Sequence, residues 1–415
     1  MGEGKGLNFE AKVQSIDDNL PYRYPSRTVK ITTPSGFFET PLRAATHYEY
    51  RSRMRVTPKA TIDSPIAVNI KKMNCSQLNG FLTSNEPFEL LLRRIEMFSH
   101  ITQYAHLRLA VIQPTTTSDP EDTMPPAMSV IQDNATLRDR FLTFLVRLQQ
   151  EAGLNPIAIP FLELPFSTMK PIIVDLHKSI TSMDLEPIFF VDLRYQDFKS
   201  LIELLTNDIG SQIIGLIYRK WSQAPINYDF LSRTYYDKDV AFLCAQADRY
   251  DMRFDDLSTS HFLPFFGADM YAVQVPPGFH KNENIESHEA TGSQLIAQST
   301  AQPAMTIPRL EKIRFFDRRS LKVKPVNSAS FDPESIVTDM KDEDRRHMAV
   351  ALENRQEANT DEEKYLALNC LSRFHELCSS TREFQDVRKH IDEGSTRTYV
   401  QEKTSLKPAL DDIKK

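Results

Sequence analysis

Eight short apolar runs rich in β-branched and aromatic residues recur along the middle of the chain, and each is parted from the next by a longer segment. They are PLRAAT (41–46), PIAVNI (65–70), LRLAVIQ (107–113), PIAIPFLE (156–163), PIFFVDLR (187–194), QIIGLIYR (212–219), VAFLCAQ (240–246) and DMYAVQV (269–275). Runs this continuously apolar belong to strands covered on both faces, which is the pattern of parallel sheets with helices between the strands. Several of the parting segments are amphipathic at helical spacing. EPFELLLRRIEMFSHITQ is one, and ATLRDRFLTFLVRLQQEAG is another, closed by Gly153 in the C-cap position. Eight strands alternating with helices predict an α/β fold that closes as a (β/α)8 TIM barrel over 41–275.

Ahead of the barrel, LNFEAKVQSI and RTVKITTPSGFFETP read as short antiparallel strands, the latter pair joined at Pro34-Ser35-Gly36. They predict an N-terminal β cap over 1–40. After the barrel, 276–307 is polar and without periodicity and is expected to be a loop. The remainder, 308–415, predicts a basic strand followed by a helical subdomain, with helices near 341–356 and 361–394, the second ending at Gly394.

Composition removes some function classes. The net charge of −6 provides no global attraction to nucleic acid, so phosphate contacts require a local basic patch. Glycine is scarce, 12 in 415, and neither G-x-G-x-x-G nor G-x-x-x-x-G-K-[ST] occurs, which argues against nucleotide-cofactor loops of those types. No run approaches the length of a membrane span and the first residues lack a signal-peptide core, so the expected setting is cytoplasmic, away from membranes. Four scattered cysteines agree with a reducing compartment. Cys370, His375 and Cys378 invite a metal reading, but Tyr365, Leu368, Leu371 and Phe374 recur around them at helical spacing, and a tetrahedral site needs a fourth ligand. No metal is expected there.

In a barrel of this type function gathers at the C-terminal ends of the strands. Those positions are Asn69, Gln113, Glu163, Asp192 with Arg194, Arg219 with Lys220, Gln246 with Asp248, and the residues facing inward near Asp269.

Four further segments resemble, in order and spacing, those of the tRNA-guanine transglycosylases and their DNA-acting relatives. They are GFFETP (36–41), GADMYAV (267–273), KIRFFDRRSLKVKPVNSASFDPESIVTDM (312–340) and LALNCLSRFHELCSSTREFQDVRKHIDEG (366–394). The resemblance implies exchange of guanine for a 7-deazaguanine base in tRNA or DNA. It also implies nucleic acid and a guanine-type base as partners, and it leaves a homo- or heterodimer open. Its catalytic motifs are altered here. In the family's G-x-D-M-F-D the second Asp is the nucleophile; here that position is Ala272, and only the first, Asp269, is kept. Asn69 falls at the acid/base Asp and Gln113 at the base-recognising Asp. Ser335, Val337, Met340 and Asn369 fall at the four zinc-ligand positions, so no zinc cofactor is expected, and packing of the apolar face from Tyr365 through Ile391 would hold the C-terminal unit.

A basic segment with interleaved Phe315 and Phe316 carries Arg309, Lys312, Arg314, Arg318, Arg319, Lys322 and Lys324. Such a mixture suits phosphate contacts and base stacking, and equally suits a solvated edge strand. Three functions are therefore open. The first is a divergent base-exchanging enzyme using Glu163, Asp192, Asp248 or Asp269. The second is a non-catalytic nucleic-acid-binding or partner subunit of an active transglycosylase. The third is an unrelated barrel enzyme acting on a small anionic substrate through Arg194, Arg219 and Lys220.

Overall fold

A computed structural model describes residues 9–19, 25–50, 64–116, 125–217, 225–248, 250–251, 256–273, 312–327 and 361–413. All eight expected strands are present: β4 (Leu42–Thr46), β5 (Ile66–Met73), β6 (Leu107–Pro114), β7 (Ile157–Ile159), β8 (Pro187–Asp192), β9 (Ile213–Ile217), β10 (Ala241–Ala247) and β13 (Met270–Val273). They pair in parallel in one eight-stranded sheet whose order runs β6-β5-β4-β13-β10-β9-β8-β7, so the sheet is a barrel closed except for a ladder between β6 and β7. The intervening helices are α1 (Cys75–Thr83), α2 (Asn85–Ile101), α3 (Ala127–Asp133), α4 (Ala135–Glu151), α5 (Phe166–Thr181), α6 (Phe198–Glu203) and α7 (Pro225–Thr234). Local chemistry sets their starts. Asn74 and Gln77 form a reciprocal capping box on α1, and Asn134 Oδ1 accepts from the Leu137 N–H at 3.0 Å on α4.

The sequence reading makes β7 eight residues long, yet the strand has three. Pro156 and Pro160 flank it and neither has an N–H to give a ladder, so pairing ends at both sides. The Gln149 side chain from α4 stands in for a neighbouring strand: its Oε1 accepts from the Ala158 N–H at 2.8 Å and its Nε2 donates to the Ala158 carbonyl at 3.0 Å. A second carboxamide bridges the same seam where Gln113 Nε2 donates to the Phe161 carbonyl at 2.8 Å.

Strand alternation divides the core in two. Leu42, Ala44, Ile66, Val68, Leu107, Leu109, Val111, Ala158, Ile188, Phe190, Ile213, Ala241, Leu243, Ala245, Met270 and Ala272 fill the interior, while the alternate residues pack against the helices. Gly215 is inward too, and a Cβ there would lie 2.4 Å from the Phe190 ring, so the glycine makes room for that ring.

The N-terminal strands β1 (Glu10–Asp17), β2 (Ser26–Thr33) and β3 (Gly36–Glu39) form the expected antiparallel sheet, with Thr33 paired to Gly36 across the Pro34-Ser35 turn. Their position follows from hydrogen bonds to residues just ahead of strands. The Ala11 N–H donates to Gln212 Oε1 at 3.2 Å and the Val13 N–H to Asp239 Oδ1 at 2.8 Å. Phe9, Ala11, Val29, Ile31 and Phe38 therefore plug the N-terminal end of the barrel.

Past β10 lie β11 (Tyr250–Asp251), β12 (Leu257–Ser258) and the helical turn α8 (Thr259–Phe262). The hairpin β14 (Lys312–Asp317) and β15 (Lys322–Asn327) joins β11 and β12 in a four-stranded sheet. Helix α9 (Asp361–Asp392), ended by Gly394 at φ +64°, packs on β14, β4, β1 and β2, and is followed by α10 (Thr396–Glu402) and α11 (Leu406–Ile413). Apolar packing is not all that holds α9. Its buried face also carries Arg373, His375, Glu376 and Glu383. Arg43, outward on β4, reaches Glu376 and Glu49 and donates to Ser380 Oγ at 3.3 Å, and Lys403 and Arg318 both pair with Glu383. Among the described residues no helix is long and apolar enough to cross a membrane.

Candidate functional site

The C-terminal mouth of the barrel is built from the last inward residue of each strand. On β6 this is Gln113, which is 8 % exposed; its Nε2 is spent on Phe161, and its Oε1 is buried without a partner. On β8 it is Asp192, which takes a bidentate contact from Arg194: Nε at 3.0 Å and Nη2 at 2.6 Å. That hydrogen-bonded carboxylate holds the Arg194 pKa above its ordinary value, with a smaller contribution from the field of Glu163. The guanidinium is thus anchored at the rim. Glu163 is exposed there, its carbonyl accepting from Gln132. Phe161 meets Tyr195 edge to face at 5.2 Å, and the Tyr195 hydroxyl donates to the Leu164 carbonyl at 2.8 Å. Burial pushes that phenol to about 12, so it remains protonated and cannot serve as a base at neutral pH.

On β10 the ladder to β13 shifts register between Cys244 and Ala247, and Gln246 within that bulge has φ +63°. A left-handed glutamine at the end of a strand is a costly conformation of the kind that accumulates at functional sites, and Asp248 lies two residues further on, half-buried. Cys244 is fully buried and its thiol is pushed up to about 12, mainly by desolvation, which removes it as a nucleophile.

On β13 the inward residue is Ala272, fully buried, in register with Ala44 and on the same interior face as Ala245. Its surroundings are aliphatic. Asp269 does not share this end. It precedes β13, at the N-terminal side of the sheet, and both of its oxygens are engaged. Arg27 donates Nε to Oδ1 at 2.9 Å and Nη2 to Oδ2 at 2.7 Å, and the Phe242 N–H donates to Oδ2 at 2.8 Å. Asp269 ties the cap sheet to the barrel floor. Gly267 at φ +80° makes the turn into it, and a Cβ there would come 2.7 Å from Ser232 Oγ.

Asn69 also departs from expectation. Ile66, Val68 and Ile70 face the interior cluster, so Asn69 alternates outward and lines a cleft with Leu91, Arg94 and Ile95 of α2. The strand runs three residues further than the sequence reading, to Met73, which puts Asn69 in mid-strand.

The basic segment is folded into its own chain. Arg314 donates to Asp256 Oδ2 at 2.7 Å, Arg318 to Glu383 Oε2 at 2.8 Å and also to Asp386, and Lys324 pairs with Asp317. Arg319 is exposed. Phe315 and Phe316 are each 3 % exposed, which corrects the expectation that they are open to stacking bases. Phe316 instead stacks on His261 with centroids 4.5 Å apart, His261 stacks on Phe384 at 4.7 Å, and Phe384 stacks on Tyr271 at 5.8 Å. Phe315, on the opposite face of the strand, meets His375 edge to face at 5.8 Å, so this stretch of the hairpin is covered on both faces. Lys312 lies in β14; Arg309, Arg219, Lys220, Ser335, Val337 and Met340 lie outside the described residues, as do the expected loop 276–307 and the helix near 341–356.

Of the metal candidates, Cys370 is buried and Cys378 half-buried, and the His375 Nε2 and Ser379 Oγ are 3.3 Å apart. Asn369 donates to the Tyr48 hydroxyl at 3.3 Å. Among the described residues there is no group of three or more His, Cys, Asp or Glu side chains arranged to hold a metal ion. Compared with models of known protein families and with curated proteins, the chain matches none.

Proposed function

We propose that this chain is a transglycosylase-like barrel that does not exchange bases on its own and acts as a nucleic-acid-binding or partner subunit. The observation that carries this reading is the setting of Ala272. The resemblance puts the nucleophile there, and the position holds a methyl group in an aliphatic layer beside Ala44 and Ala245. A covalent sugar intermediate needs a carboxylate within reach of the ribose. Asp269 is committed to Arg27 at the other end of the barrel, and Asp192 is committed to Arg194. What the mouth keeps is hydrogen-bonding capacity: the Gln113 Oε1 has no partner and can accept, as an N–H edge of a guanine-type base requires.

Calorimetric titration with guanine and 7-deazaguanine tests this. Weak binding that is lost in Gln113→Leu supports a retained base subsite; binding indifferent to Gln113→Leu removes it. A second reading, a divergent enzyme with a relocated carboxylate, is favoured by the strained bulge at Gln246 that presents Asp248.

A further inference from the structure

The outward face of α2 departs from the polar surface that a helix on the outside of a barrel ordinarily presents. Phe88, Leu91, Leu92, Ile95 and Phe98 form its buried face. On the opposite side Leu90 is 50 % exposed and Met97 is 44 % exposed. A separation of seven residues is two turns less about 20°, so the two side chains stand in one row, about 10 Å apart along the axis. Tyr104, just past the helix end and 74 % exposed, adds a third apolar side chain. Exposed apolar residues are ordinarily scattered singly; these are aligned.

Charges run beside the row in a fixed order. Glu89, Arg93, Glu96 and His100 recur at i, i+4, i+7 and i+11, which places them along one flank of Leu90 and Met97 as acid, base, acid, base. All four are exposed, and among the described residues none of them has an ion-pair partner. Alternating signs separate the occupants such a face can take. A polyanion such as nucleic acid is repelled by the two glutamates, whereas an identical face turned end for end meets each base with an acid.

An isologous contact sets one surface against itself across a two-fold axis. With the two helices antiparallel, Leu90 falls opposite Met97 of the second copy, and Met97 opposite its Leu90. Within two residues of that register, about 3 Å, Arg93 falls opposite Glu96 and His100 opposite Glu89, each twice by symmetry. Arginine and glutamate side chains span that offset. Exposed ion pairs are individually weak, so the apolar row supplies the association and the charges set its register.

We propose that this face of α2 binds a second copy of the chain as an antiparallel helix pair, with Leu90 and Met97 as the seam and Arg93 and Glu96 as the flanking ion pairs. The surface lies on the barrel flank, so the proposal stands whether or not the mouth binds a base.

Sedimentation velocity of the full chain over a concentration series tests it. A reversible dimer is expected, weakening as salt rises. Leu90→Glu should leave a monomer. Arg93→Glu and Glu96→Arg should each weaken the dimer about tenfold or more, since the two-fold doubles every like-charge contact. The double variant Arg93→Glu with Glu96→Arg should restore the wild-type constant, because the swapped charges again meet their opposites. Ile226→Ser, which removes an apolar side chain 72 % exposed on α7, should change nothing. A chain that is monomeric at every concentration overturns the proposal, and so does a dimer indifferent to Leu90→Glu or to Arg93→Glu. Failure of the charge swap to restore the dimer overturns it as well. The swap decides the matter alone if Leu90→Glu fails to fold.

Discussion

Acidification should release the C-terminal unit through His261. This histidine is fully buried, clamped between the rings of Phe316 and Phe384, with Nδ1 3.0 Å from Ser258 Oγ and Nε2 without a partner. Desolvation holds its pKa well below the ordinary value; the positive fields of Arg43, Lys403 and Arg318 act in the same direction, and only Glu376 opposes them. The sign follows by linkage. A group whose folded pKa is depressed is neutral when folded and binds a proton when unfolded, so stability is intact above about pH 6.5 and falls as pH drops below it. For one such site the loss approaches about 1.4 kcal/mol per pH unit, or about 2 kcal/mol between pH 7.5 and pH 5. His261→Phe keeps an aromatic ring in the stack and removes the proton site. Urea unfolding of wild type and variant at the two pH values should show the wild type losing about 2 kcal/mol more than His261→Phe on acidification. Equal losses in the two proteins would refute the argument, because the acid sensitivity would then come from other groups.

Three further outcomes follow from the packing. Arg27→Met should destabilise by about 3–5 kcal/mol, since it strands the Asp269 carboxylate at 2 % exposure, and the double variant Arg27→Met with Asp269→Leu should recover much of that in thermal melts. Glu186, whose carboxyl is raised by burial from 4.5 to about 7, favours the folded state below pH 4.5, and that contribution is lost as pH rises through about 7. Glu186→Gln should therefore raise stability at pH 8 by roughly 1–2 kcal/mol, discounted for its partial exposure, and leave it unchanged at pH 4.5, as read from melting curves at both values. Gln149→Leu should remove the amide clasp on β7, and hydrogen exchange at Ala158 should then accelerate by about tenfold relative to Ile188 on β8.

The barrel was legible because each strand is apolar on both faces and each helix has one apolar stripe, a pattern that fits few other arrangements. The hairpin cap was legible for the same local reason, its turn chemistry at Pro34-Ser35-Gly36. What escaped was the direction of individual side chains. Asn69 reads as a strand-end residue until the strand is seen to run on to Met73, which puts it in the middle and facing outward. Asp269 reads as a surviving catalytic carboxylate, yet the partner that defines its role, Arg27, lies 242 residues away in sequence. Phe315 and Phe316 read as stacking platforms because their burial depends on His375 of α9 for the first and on His261 of α8, backed by Phe384 of α9, for the second. Long-range partners of this kind leave no local periodicity to find.

Incorporation of labelled guanine into tRNA and into DNA tests the central claim most directly. If Ala272 stands where the transglycosylase resemblance places the nucleophile, as proposed, the isolated chain should incorporate no label above background in either nucleic acid. Exchange well above background that is abolished by Asp248→Ala would contradict the non-catalytic reading and make Asp248 the relocated nucleophile.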